Sequence, residues 1–154
     1  MKRYEQLSRE IELLAIDKNI SLNKMLTTVC ELLQSNIEHF DWVGFYFHDT
    51  QRPVLHLKAF AGDPTEHTEI PFGKGICGQV ALSNEHFLVE DVTKQDNYIA
   101  CSLTVKSELV VPLFVDNKNI GQIDIDSHKL KAFSKKDVAF LEEINRYVSQ
   151  KIKS

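Results

Sequence analysis

The run ELVVPLFVDNKNIGQIDID, residues 108–126, decides the fold. Two apolar segments, Glu108–Val115 and Asn119–Asp126, flank polar turn residues between Asp116 and Asn119, the arrangement of a β-hairpin. In the second segment Ile123 and Ile125 fall on one face of a strand, and Asp124 and Asp126 on the other. That alternation reads either as a sheet with one wet face or as two carboxylates converging on a cationic group. Glu108 opens the partner strand and is a third candidate. Three close carboxylates raise at least one pKa and so supply a protonated acid near neutral pH.

Working back toward the N-terminus, the period stays at two. FDWVGFYF (40–47) and VLHLKAF (54–60) read as paired strands across a short turn, Asp49–Pro53, and HFLVED (86–91) as another strand. The spacing places Phe40, Trp42, Gly44 and Tyr46 on one face, with a notch at the glycine walled by aromatics; ordinary core packing accounts for the pattern equally well. Residues 61–72 read as loop, followed by a short helical piece after Gly78.

Helical periodicity flanks this strand region. It covers about residues 2–17, then 22–37 behind an Ser21 N-cap with Leu22, Met25, Leu26, Val29, Leu33 and Ile37 in one stripe. At the far end Ser134 caps a helix carrying Val138, Leu141, Ile144, Val148 and Ile152. Helices, hairpin-joined strands and a closing helix make an α+β domain with helices packed on an antiparallel sheet. The expected organisation over 1–154 is one domain, with N-terminal helices at 2–37, sheet and pocket at 40–127, and a final helix at 134–152.

The 154 residues are 43% hydrophobic and 26% charged, with a formal net charge of −4 and basic residues spread along the chain. That composition suits a globular protein and argues against nucleic-acid binding, which concentrates positive charge. No stretch approaches the roughly 18 apolar residues of a membrane span. Cys30, Cys77 and Cys101 share no short spacing, which argues against both a secreted disulfide scaffold and a zinc site and favours a reducing, cytoplasmic setting. Cys30 flanks the second helix's apolar stripe and reads as packing. Cys101 is a lone loop cysteine, and the six histidines form no metal spacing.

Residues 73–78, Gly-Lys-Gly-Ile-Cys-Gly, match a dinucleotide-binding fingerprint letter for letter but lack the apolar strand that must run into it. They read instead as a tight turn that leaves backbone N–H groups and Cys77 at a helix start.

Several linked motifs occur in one order. They are Trp42-x-Gly44-Phe45-Tyr46, Ile70-Pro71-x-Gly73-x-Gly75-x-Cys77-Gly78, Glu90-Asp91-Val92 and Ile99-Ala100-Cys101, then Ser107-Glu108-Leu109-Val110-x-Pro112-Leu113 and Asp124-Ile125-Asp126-Ser127. Over about residues 22–150 the chain resembles the free methionine-(R)-sulfoxide reductases, which are stand-alone GAF domains. The resemblance implies a GAF-like, six-stranded antiparallel sheet flanked by helices, with an enclosed pocket above one face. It implies that Trp42 and Tyr46 wall the pocket, that Glu108, Asp124 and Asp126 hold the ammonium of a free amino acid, and that Cys101 is the nucleophile.

By the same resemblance a second cysteine condenses with the oxidised Cys101, and thioredoxin or another thiol restores both. No bound cofactor and no metal are implied, and a homodimer is. Two positions depart from the family. His67 stands where a cysteine is usual, ten before Cys77, and Ser102 where Asp follows the nucleophile. The second thiol is then either Cys77 or an external thiol. The alternative reading is a non-catalytic GAF module that binds an amino-acid-like ligand or senses redox state.

Overall fold

The computed structural model describes residues 2–95 and 104–154. The helices are α1 (Lys2–Ile16), α2 (Leu22–Asn36), α3 (Gly75–Ser83) and α4 (Lys135–Lys153). The strands are β1 (Trp42–His48), β2 (Val54–Ala61), β3 (Glu69–Pro71), β4 (Phe87–Val89), β5 (Ser107–Val115) and β6 (Lys118–Ser127). They form one antiparallel sheet in the order β3-β2-β1-β6-β5-β4. Among the described residues, no helix is long and apolar enough to cross a membrane.

The β5–β6 hairpin is tighter than the sequence suggests. Its turn is only Asp116-Asn117, with φ of 52° and 65°, the left-handed pair of a two-residue hairpin turn that Asp and Asn tolerate. Pro112 sits within β5 at no cost to the ladder, because β4 pairs only as far as Val110 and leaves β5 an edge beyond it.

Alternation sorts the sheet into two cores. Val43 and Phe45 of β1, Leu109, Val111 and Leu113 of β5, and Ile123 and Ile125 of β6 face α1, α2 and α4. Trp42, Tyr46, Leu55 and Val110 face the other way, toward α3. Ser21 caps α2 by accepting the Lys24 N–H at 3.1 Å. Asp137 accepts the Ser134 N–H at 3.0 Å at the start of α4. Asp137 also accepts from the Tyr4 hydroxyl of α1 and lies 3.2 Å from His39 Nε2, so one carboxylate joins three segments on the helix side.

Three expectations are corrected. Phe40 precedes β1 and lies in the helix-side core, where it packs against Phe133, not on the face of Trp42 and Tyr46. β1 begins only at Trp42, so strand parity does not extend back to Phe40. Within the stretch read as loop, Glu69–Pro71 pairs with β2 as an edge strand. Finally, α3 begins at Gly75 rather than after Gly78, because the left-handed residues Gly73 (φ 87°) and Gly75 (φ 62°) turn the chain before the helix. Gly78 then lies inside α3, pressed on that turn: a Cβ there would fall 2.6 Å from Pro71 O.

Candidate active site

The register of the three central strands assembles the site in rows. Asp126 of β6 stands between Trp42 of β1 and Glu108 of β5. Asp124 stands between Gly44 and Val110, and Gln122 between Tyr46 and Pro112. Directly opposed side chains in such pairs lie about 5 Å apart, so two adjacent rows bring three acids within reach of one small ligand.

These acids do not form a wet sheet face. Glu108 is 5% exposed, and Asp124 and Asp126 are each 1% exposed. Burial pushes the Asp124 carboxyl above the usual carboxylate range, a rise partly offset by hydrogen bonds with Glu108 and with the Cys77 thiol. A carboxyl–carboxyl hydrogen bond needs a proton, so the pair carries a bound acid at a pH where isolated carboxylates have ionised.

The start of α3 lowers Cys77 onto this group. Gln122 Nε2 donates to Cys77 O at 3.1 Å and fixes the helix end over β6. One donor atom from each of Cys77, Glu108 and Asp124 lies within 4.8 Å of the others. Burial, then the charges of Asp124, Glu108 and Asp126, push the Cys77 thiol well above its ordinary value. At neutral pH it is a thiol that hydrogen-bonds to Asp124, not a thiolate.

Trp42 and Tyr46 are pinned from outside the sheet. The Trp42 indole N–H donates to Asp63 O and the Tyr46 hydroxyl to His67 O, both at 2.9 Å. The two ring centroids are 6.5 Å apart. The notch at Gly44 is real but filled. Trp42 folds its six-membered ring across it, so that a Cβ on Gly44 would lie 2.3 Å from Cη2. Phe60, opposite Gly44, stacks on the same indole at 5.9 Å and 13°.

Gly44→Ala therefore displaces the indole. Overpacking of this kind costs about 1–3 kcal/mol. The variant is expected to fold, with a lowered Tm and about tenfold or more weaker binding of free methionine sulfoxide by calorimetry. Wild-type affinity in Gly44→Ala would mean that the indole is not a wall of the site.

Of the residues singled out in the sequence, Trp42, Tyr46, Cys77, Glu108, Asp124 and Asp126 come together on this side of the sheet. Cys101 and Ser102 lie outside the described residues. Phe60, His67, Ile70 and Lys74 were not foreseen as site residues. His67, Ile70 and Lys74 line, with Tyr46, Cys77, Glu108 and Asp124, a cavity of about 10 Å³. Phe60 could not be placed by period alone, because the β1–β2 register shifts between Phe45 and Tyr46.

Comparison with known proteins gives a consistent result. The GAF domain family model matches residues 19–153. GAF domain-containing protein A of Dictyostelium discoideum is 36% identical over 143 residues, 93% of this chain and 88% of that protein. The free methionine-R-sulfoxide reductase of Escherichia coli K12 is 33% identical over 141 residues, 92% of this chain and 83% of that one. The X-ray structure of free methionine-R-sulfoxide reductase from Neisseria meningitidis in complex with its substrate superposes with a TM-score of 0.90. It is 35% identical and covers 97% of this chain and 88% of its own.

Proposed function

The chain belongs to the GAF domain family, and we propose that it reduces free methionine-(R)-sulfoxide to methionine. The observation that carries this reading is the row of buried acids, Glu108, Asp124 and Asp126, beside the aromatic wall of Trp42 and Tyr46. Burying carboxylates is costly, and the ammonium of a free amino acid offsets that cost. A methionine sulfoxide inside a peptide has no such ammonium, so the site selects the free zwitterion. The apolar walls receive the methyl group of the sulfoxide.

In the proposed reaction the Cys101 thiolate attacks the sulfoxide sulfur. The Glu108–Asp124 pair supplies the proton that the sulfoxide oxygen needs to leave. The oxygen passes to Cys101, which becomes a sulfenic acid as methionine is released. A thiol then condenses with the sulfenic acid, forming a disulfide and water, and two external thiols reduce that disulfide by exchange. No bound cofactor takes part; the two electrons come from thioredoxin or another dithiol.

Cys77 is the chain's own candidate for the resolving thiol. Its raised thiol pKa makes it a slow one, so an external thiol competes effectively. Cys77→Ser is expected to keep full single-turnover formation of methionine and dithiothreitol-driven turnover, while thioredoxin-driven turnover falls about tenfold or more. Equal thioredoxin-driven rates in Cys77→Ser and wild type would remove Cys77 from the relay.

The function itself is tested by NADPH oxidation coupled through thioredoxin reductase and thioredoxin. Free methionine-(R)-sulfoxide should support turnover, and its N-acetyl derivative should not. No turnover of the free R-sulfoxide, with thioredoxin or with dithiothreitol, overturns the reading. Saturable binding unchanged by Cys101→Ser, with no product formed, would instead assign a binding module.

A further inference from the structure

We infer that the cavity over the acidic rows also takes a divalent transition-metal ion of the zinc type, held by Cys77 Sγ and by carboxylate oxygens of Glu108 and Asp124. All three residues are buried, and one donor atom from each lies within 4.8 Å of the other two. Around a tetrahedral zinc ion, with bonds of about 2.0–2.3 Å, donor atoms sit about 3.5 Å apart. A contraction of about 1 Å closes the set.

Two further observations point to a ligand at this place. Asp124 is 1% exposed, yet its Oδ1 is buried with no hydrogen-bond partner, and Asp124 lines the cavity. A carboxylate oxygen buried in that state retains lone pairs that a cation can take. The cavity, at about 10 Å³, has the size of one water molecule or one ion.

The donor set decides the class of ion. One thiolate and two carboxylates carry three negative charges toward a dication, and the sulfur disfavours magnesium and calcium, which take oxygen ligands. Three protein ligands leave a fourth position, for water or for His67, which lines the same cavity. Lys74 also lines it, from an exposed position, and is the charge with which an incoming ion competes.

Binding replaces the Cys77 S–H bond by an S–metal bond and displaces the proton shared by Glu108 and Asp124, so two protons pass to solvent. The ion and a substrate ammonium need the same carboxylates, so each excludes the other. Inhibition of turnover by the ion rests on the reductase reading; binding of the ion does not.

The test uses the full chain, reduced and cleared of metal. Zinc is titrated in competition with a chromophoric chelator, and cobalt(II) is added separately to read the thiolate-to-cobalt charge-transfer band in the near ultraviolet. One equivalent of zinc and a thiolate band are expected. Both should be lost in Cys77→Ala, and zinc affinity should fall about tenfold or more in Asp124→Asn. Circular dichroism of Cys77→Ala checks its fold, and Asp124→Asn keeps the test decisive if that variant is unfolded. Free methionine sulfoxide should weaken the apparent zinc affinity.

No uptake from micromolar zinc, a cobalt complex without a thiolate band, or unchanged binding in a folded Cys77→Ala each overturns the inference. Metal binding in a chain that reduces no sulfoxide would remove the reductase reading and leave the metal site standing. Turnover without metal binding would do the reverse.

Discussion

Cys101→Ser is expected to lower reduction of free methionine-(R)-sulfoxide by about a thousandfold or more while leaving its binding nearly unchanged. Reducing a sulfoxide requires a group that can accept the oxygen and be oxidised by two electrons. A thiolate does this by passing to sulfenic acid, and a serine hydroxyl cannot. The remaining cysteines are poor substitutes for reasons visible in the fold. Cys30 is fully buried on the helix side of the sheet, and burial pushes its thiol upward. Cys77 is on the correct side, but burial and three neighbouring carboxylates hold it protonated.

Single-turnover methionine release, measured by chromatography with no external thiol, separates the possibilities. Loss of the first turnover in Cys101→Ser, with binding retained in calorimetry, is the expected result. A Cys101→Ser variant within tenfold of wild type would exclude Cys101 as nucleophile.

Asp124→Asn is expected to move affinity and stability in opposite directions. The ammonium of the ligand loses one buried carboxylate, and truncating one partner of a buried charge pair costs about 2–5 kcal/mol, or about 30-fold or more in Kd. The free protein gains instead, because the amide carries no charge to desolvate and still accepts or donates hydrogen bonds to Cys77 and Glu108. A rise of about 1–3 kcal/mol at pH above the folded pKa of Asp124 is on the scale of the penalty for a buried polar group left poorly matched.

The pH dependence follows from the direction of the shift. The folded pKa of Asp124 lies above its ordinary value of 3.8. Its contribution to stability is therefore fully present below the unfolded pKa and is lost as the pH rises through the folded pKa. Asparagine does not titrate. The stability advantage of Asp124→Asn should vanish near pH 4 and below, and reach its plateau above the folded pKa. Urea unfolding of both proteins across that range measures the difference. An Asp124→Asn protein less stable than wild type at pH 7 would mean that the carboxylate is a structural group rather than a binding one.

Much of the fold is legible in short stretches. The cap at Ser21, the acidic cap where α4 begins and the left-handed turn at Asp116-Asn117 are set by residues within a few positions of one another. The two faces of β6 are equally plain, since Ile123 and Ile125 must alternate with Asp124 and Asp126 on any strand. The linked motifs that carry the GAF resemblance belong to this class, because each spans only a few residues. Where the readings miss, the deciding contacts are distant. Phe40 lies before β1 and packs into the helix-side core, and Glu69–Pro71 is a strand only because β2 offers it an edge.

The acidic pair of β6 shows the division most clearly. Alternation by itself put Asp124 and Asp126 on one face of a strand, but a wet face and a binding site write the same pattern. Tertiary structure ruled out the wet face by burying it, as α3 and the turn at Gly73–Gly75 settle Cys77 over β6 and the loop carrying His67 holds Tyr46 from the other side. It also decided which groups are neighbours, setting Glu108 and Trp42 on either side of Asp126. Local periodicity fixes where a side chain points. Which side chains of the sheet meet, and whether water reaches them, depends on strand pairings between residues as much as 84 positions apart in the chain, as Trp42 and Asp126 are.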